Sequence, residues 1–163
     1  MLVLVCGLPG TGKTTLAKAL AEGRGAVHIS SDAVRVEALG KRTYSTEEKF
    51  GVYGLMLEVA ERLLGEGKEV LLDATFYKRE LREKARGVAE EAGTGFRIIE
   101  CITEEGLLKG RVKTGGERGK SEADFGVYKK VRGEYEPVEG EHLVVDTGLP
   151  LKEQLRLAEE YLG

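Results

Sequence analysis

Eight residues near the amino end constrain this chain more than anything else in it. Gly7-Leu8-Pro9-Gly10-Thr11-Gly12-Lys13-Thr14 fits the pattern G-x-x-x-x-G-K-[ST]. The run directly follows an apolar stretch, Leu2–Cys6. It opens a segment, Lys13–Glu22, that carries Leu16, Ala19 and Leu20 at helical spacing. Strand, glycine loop and helix in that order make a phosphate cradle. Glycines at Gly7, Gly10 and Gly12 let consecutive backbone N–H groups around Thr11 curl about an anion with no Cβ in the way. The start of the following helix adds its partial positive charge. In such a cradle Lys13 reaches the β and γ phosphates of a nucleoside triphosphate, the Thr14 hydroxyl ligates Mg²⁺, and Thr15 bonds the α phosphate. ATP and Mg²⁺ are therefore the expected cofactors.

The rest of the chain continues the alternation. Apolar runs recur at Leu2–Cys6, Ala26–Ile29, Glu69–Leu72, Phe96–Ile102 and His142–Val145, several unbroken, as strands covered on both faces should be. Helical spacing recurs between and after them, over Lys13–Glu22, Glu47–Leu64, Lys78–Ala92 and Leu151–Leu162. Strands alternating with helices predict an α/β fold with a five-stranded parallel sheet, whose ligands bind beyond the carboxyl ends of the strands. At about 150 residues per domain, the length predicts one domain over 1–163.

Composition removes whole classes. There are 25 basic and 28 acidic residues, a net charge of −3, so no general cationic coat is available for nucleic acid. Two cysteines, Cys6 and Cys101, are too few for a disulfide scaffold or a multi-cysteine metal site. Both sit in apolar runs and read as small core residues. His28 and His142 fall in expected strands and read as structural. No apolar stretch approaches the ~18 residues of a membrane span, and the run Met1–Cys6 lacks the basic lead-in and long apolar region of a secretion signal. The expectation is a cytoplasmic protein, monomeric or a small homo-oligomer. Asparagine is absent and Gln154 is the only glutamine, which with the abundant Glu, Lys and Arg leans toward a thermophilic source. The lack of asparagine, and of a D-x-x-G after any strand, also disfavours a GTPase.

Candidate acceptor-side residues follow the second and third runs. In Ser30-Ser31-Asp32-Ala33-Val34-Arg35, a helical turn would put Asp32 and Arg35 on one face. A carboxylate there can take the proton of an attacking hydroxyl while the arginine orients an anionic acceptor. Asp32 capping the short helix is the equal alternative. Asp73 is another strand-end carboxylate, suited to Arg35, to a Mg²⁺-bound water or to an acceptor hydroxyl; capping the helix near Lys78 is its alternative role. Lys109–Lys120 holds five basic residues against one acidic, with four glycines, which suits a mobile cationic lid over an anion, at about residues 109–122. Within it Arg111 or Arg118 can stabilise charge on a transferring phosphoryl group. Asp146-Thr147-Gly148-Leu149-Pro150 is either an adenine-lining segment or an ordinary turn. Tyr44 and Tyr77 follow strand ends, where stacking on a base is one role and packing the other.

Taken together, Gly7–Thr14, the Asp32-x-x-Arg35 pair, the Leu71–Phe76 strand end, the Arg111…Arg118…Ser121-x-Ala123-Asp124 segment and the Val144–Thr147 strand end resemble one P-loop kinase family. It contains the polynucleotide 5′-hydroxyl kinases, zeta-type toxins and related small ATP-binding proteins. The resemblance implies a three-layer sandwich with sheet order 2-3-1-4-5. It also implies Asp32 as general base, Arg35 on acceptor phosphate, and a lid arginine at Arg118 (or Arg111) on the donor phosphates. The implied activity is ATP- and Mg²⁺-dependent transfer of the γ-phosphoryl to a hydroxyl, with an RNA or DNA 5′ end as the favoured acceptor. Basic residues in Lys78–Arg86 and Lys109–Lys120 would meet its phosphates. A small-metabolite kinase on the same scaffold, or a nucleotide-gated interaction protein without acceptor, are the alternatives.

Overall fold

A computed structural model of the chain describes residues 1–39, 46–104 and 122–163. The elements run β1 (Leu2–Cys6), α1 (Lys13–Arg24), β2 (Val27–Ser30), α2 (Ser31–Leu39), α3 (Thr46–Gly65), β3 (Val70–Asp73), α4 (Arg79–Glu91), β4 (Phe96–Ile102), α5 (Glu122–Glu134), β5 (Leu143–Asp146) and α6 (Leu151–Leu162). The strands form one parallel sheet in the order β2-β3-β1-β4-β5. This is the α/β architecture expected from the alternation, in the strand order that the family resemblance implied.

β1 occupies the centre because it is apolar on both faces, and every one of its residues is fully buried. Alternation divides its side chains. Leu2, Leu4 and Cys6 join Val52, Met56, Ala60, Leu81, Ala85 and Val131 under α3, α4 and α5. Val3 and Val5 join Leu16, Ala17, Leu20, Ala158 and Leu162 under α1 and α6. Two helical layers thus enclose the sheet, each burying its own stripe. Among the described residues, no helix is long and apolar enough to cross a membrane.

Three strands end one residue later than their apolar runs. Ser30, Asp73 and Asp146 are each the last strand residue. A parallel sheet puts all its carboxyl ends on one edge, so these polar side chains and the glycine loop after Cys6 line that edge together. The helix α5 was not anticipated from periodicity. Tyr128 and Val131 are buried among its described side chains, and Gly126 and Gly133 interrupt the apolar spacing.

Candidate phosphate-transfer site

The loop after β1 is held open by its glycines and by neighbours on three sides. Gly7 has φ +142°, and a Cβ there would lie 2.4 Å from the Cys101 carbonyl oxygen of β4. Only glycine permits that approach. Gly12 has φ +81° and directly precedes α1, whose first turn contains no acidic residue. The Leu8 carbonyl accepts from the Thr11 hydroxyl at 2.6 Å and from Lys13 Nζ at 3.0 Å. Lys13 is therefore folded over the loop it serves. Thr14 and Thr15 are exposed at the start of α1, beside the loop. The cradle suits polyphosphate: it offers N–H groups, an ammonium and a helix N-terminus to one anion.

The loop is also tied to strands on both sides of β1. Gly7 N–H donates to Thr75 O at 3.4 Å, beyond the end of β3. The buried Thr147, beyond β5, donates its hydroxyl to Thr11 O at 2.6 Å. A third brace lies behind it, where Gln154 donates to Thr147 O and Leu149 O. Sequence reasoning missed Thr147 and Gln154 as supports of the phosphate loop. The available signal was a threonine directly after the fifth apolar run and a lone glutamine in the next helix.

Asp32 and Arg35 do share a face. Ser31 begins α2, and Arg35 Nη1 donates to Asp32 Oδ1 at 3.2 Å. The Arg35 side chain is 7% exposed and that of Asp32 30%. Ser30 Oγ accepts the Ala33 N–H at 3.5 Å, so the capping role falls to the serine. Asp73 does not cap α4 either. The residue preceding α4 is Lys78, and the Arg79 N–H donates instead to Glu136 Oε1 at 3.2 Å. Asp73 is 2% exposed and lies 2.9 Å from His28 Nε2. The sheet order puts β3 between β2 and β1, so Asp73 stands between the Asp32–Arg35 pair and the phosphate loop. Thr14 and Asp73 together offer hard oxygen donors of the kind Mg²⁺ takes.

Positive charge collects beside Arg35. Lys49 Nζ of α3 lies 5.1 Å above the Tyr77 ring, and Lys78 Nζ lies 5.6 Å from the same ring. Burial pulls the Lys49 ammonium below the ordinary lysine value; Glu134 opposes this, while Lys130 and Arg35 add to it. Tyr77 is buried beneath these cations, so it packs and is no open stacking platform. Tyr44, Arg111, Arg118 and most of the expected lid lie outside the described residues.

The α4 cations face elsewhere. Arg82 is buried and donates to Phe76 O, Glu136 O and Pro137 O. Lys84 pairs with Glu80, and Arg86 with Glu83. A cavity of about 290 Å³ beside them is lined by Arg79, Arg82, Glu83 and Arg86 with Ile98 and the Glu139–Gly140 turn.

Comparison with known proteins agrees with this fold. The model of the AAA domain family AAA_33 matches residues 2–138. Uncharacterized proteins of Mycobacterium tuberculosis and Mycobacterium bovis are 34% identical over 123 residues. That match covers 68% of this chain and 25% of theirs, so the chain spans about a quarter of those relatives' length. Among solved structures, a gluconokinase from Sinorhizobium meliloti superposes with a TM-score of 0.72 at 22% identity, covering 96% of this chain and 87% of the other. The Mycobacterium tuberculosis APS kinase CysC, in complex with AMPPNP and APS, gives 0.75 at 21%, covering 99% and 96%. Chaetomium thermophilum Kti12, in complex with ADP-AlF3, gives 0.76 at 21%, covering 99% and 97%. The family match spans the glycine loop and most of the sheet around it, and the chain belongs to the AAA domain family AAA_33.

Proposed function

We propose that the chain is an ATP- and Mg²⁺-dependent phosphotransferase that moves the γ-phosphoryl group to a hydroxyl acceptor, with an RNA or DNA 5′-hydroxyl end as the first candidate. The observation that carries this reading is the spacing of chemistry along one sheet edge. A phosphate cradle follows β1, and a paired carboxylate and guanidinium follow β2. Structures of the same fold hold AMPPNP and ADP-AlF3.

In this mechanism Lys13 leaves the Leu8 carbonyl for the phosphate tail, and the loop N–H groups hold the same oxygens. Thr14 and Asp73 would hold the Mg²⁺, which when bound neutralises charge on the phosphate oxygens. Asp32 accepts the proton as the acceptor hydroxyl attacks. Arg35 keeps that carboxylate oriented and meets an anionic group on the acceptor. Arg118, or Arg111, closes on the donor phosphates from the lid.

A small-metabolite acceptor is the second reading, favoured by one observation. The Lys78–Arg86 cations expected to contact a polynucleotide are largely engaged with the protein itself, with Arg82 on backbone carbonyls and Lys84 and Arg86 on glutamates. Neighbours of this fold include a gluconokinase and an APS kinase.

The test is transfer of radiolabelled γ-phosphate to a panel of 5′-hydroxyl oligonucleotides and small hydroxyl metabolites. In Asp32→Ala, ATP binding should survive while turnover falls by about two orders of magnitude or more. Full turnover in that variant removes Asp32 as base. A polynucleotide acceptor should also lose affinity steeply with added salt, and a neutral metabolite should not. ATP binding with no labelled product from any hydroxyl compound overturns the kinase reading in favour of a nucleotide-gated interaction protein.

A further inference from the structure

We propose that His28 is a positioning residue for the Asp73 carboxylate and, through it, for the divalent cation that accompanies the nucleotide. This rests on the reading of Asp73 as a partner of that cation.

The pairing is built into the sheet. β2 and β3 run parallel with His28 opposite Leu71 and Ser30 opposite Asp73. Val27 and Ile29 turn toward the α3–α4 side, as do Val70 and Leu72. Alternation therefore sends His28 and Asp73 to the other face, the one α1 covers. Two residues of stagger separate them along the strands, and the imidazole is long enough to span it. Nε2 reaches Asp73 Oδ2 at 2.9 Å.

The contact does more than satisfy a buried group. In the tautomer that carries its proton on Nε2, the imidazole donates to Asp73 Oδ2. Among the described residues, no other side-chain hydrogen bond to Asp73 is present. One oxygen is thus held by the imidazole, and the plane of the carboxylate is set. Oδ1 is the oxygen then available to a water on the cation, which suits Mg²⁺, an ion that keeps most of its waters and takes few carboxylates.

The backbone beyond Asp73 is pinned as well. Ala74 N–H donates to Val5 O at 3.3 Å, and Thr75 O accepts from Gly7. The strand end is therefore fixed against the phosphate loop, and the remaining freedom of Asp73 is its side-chain torsion. His28 removes that freedom. A conformational partner of this type commonly governs how well a metal site binds.

The experiment measures Mn²⁺ binding by electron paramagnetic resonance, with AMPPNP bound, in the wild type, His28→Leu and His28→Gln. His28→Leu should weaken Mn²⁺ by about 10–100-fold while leaving metal-free AMPPNP affinity within about twofold. His28→Gln, whose amide N–H can reach Oδ2, should recover most of the loss. Should His28→Leu not fold, His28→Asn replaces it, because its shorter amide falls short of Asp73. Wild-type Mn²⁺ affinity in His28→Leu or His28→Asn, or a lowered melting temperature with Mn²⁺ affinity unchanged, overturns the proposal. No turnover is needed for this readout. A wild type that holds Mn²⁺ with AMPPNP yet labels no hydroxyl compound overturns the kinase reading alone.

Discussion

Thr147 shows how much one side chain can carry at the phosphate loop. Its hydroxyl donates to Thr11 O from the far side of the sheet, and its Cβ lies 3.3 Å from where a Cβ on Gly12 would sit. Thr147→Val keeps the volume and deletes the hydroxyl. Loss of this buried hydrogen bond should cost about 1–3 kcal/mol in urea unfolding. ATP affinity should fall too, since the freed loop must be ordered at binding. Thr147→Ser should retain both properties, and calorimetric titration with AMPPNP would show whether it does. The sequence offered Thr147 only as part of a strand end and of a segment that either lines the adenine or is an ordinary turn. Its hydrogen bond to Thr11 spans 136 positions, and no local pattern reports a contact that distant. Asp32 is the opposite case. An i, i+3 spacing is local, so its pairing with Arg35 was legible in the sequence. Which residue capped the helix was not, because Ser30 and Asp32 are both good caps and only the start of α2 at Ser31 decides between them.

At the scale of elements, the segment from β3 to α4 depends on one arginine. Phe76 adopts φ +46°, unusual for a bulky residue, and is fully buried. Its N–H donates to the Tyr53 hydroxyl at 2.9 Å, and its carbonyl accepts from Arg82 at 2.7 Å. Arg82 also reaches Glu136 O and Pro137 O, so it joins α4, the end of β3 and the segment after α5. Arg82→Met should lower stability by about 3 kcal/mol or more, because several carbonyls lose a charged donor together. Arg82→Lys should rescue little, since one ammonium cannot serve carbonyls arranged for a fork. Urea denaturation of both variants checks this. Periodicity located α4 to within a residue at each end, and its Leu81, Ala85 and Ala89 are buried at helical spacing. It did not foresee that Arg82, a charged residue on the same helix, is buried with them. Helical spacing reports the apolar stripe and is silent on a polar side chain whose partners come from other elements.

For the whole molecule, burial controls the chemistry of the two thiols. Cys6 is pushed up to about 12, by burial first and then by Glu100, and Cys101 is pushed up to about 12 by burial. Neither should react with a disulfide reagent at pH 8 in the native state, and both should react once unfolded. The same shifts set an alkaline limit. Below the ordinary thiol value of 9.0 both states hold the protons, and this stabilisation is fully present. Between 9.0 and about 12 the unfolded thiols ionise first, so stability should fall by roughly 1.4 kcal/mol per pH unit per thiol. Urea midpoints measured from pH 8 to 11 test the slope. At the other end of the sheet, Arg24 joins α1 to Glu69 before β3 and to Glu159 of α6, so two helices and a connecting segment share one guanidinium. By itself the sequence determined the strand and helix alternation, the phosphate loop and the Asp32–Arg35 spacing, because each is written in residues a few positions apart. The tertiary structure alone decided which side chains of separate elements meet across that sheet. That choice brought His28 to Asp73, Thr147 to Thr11 and Arg82 to the carbonyls of two distant segments, since it depends on how two apolar faces pack across one sheet.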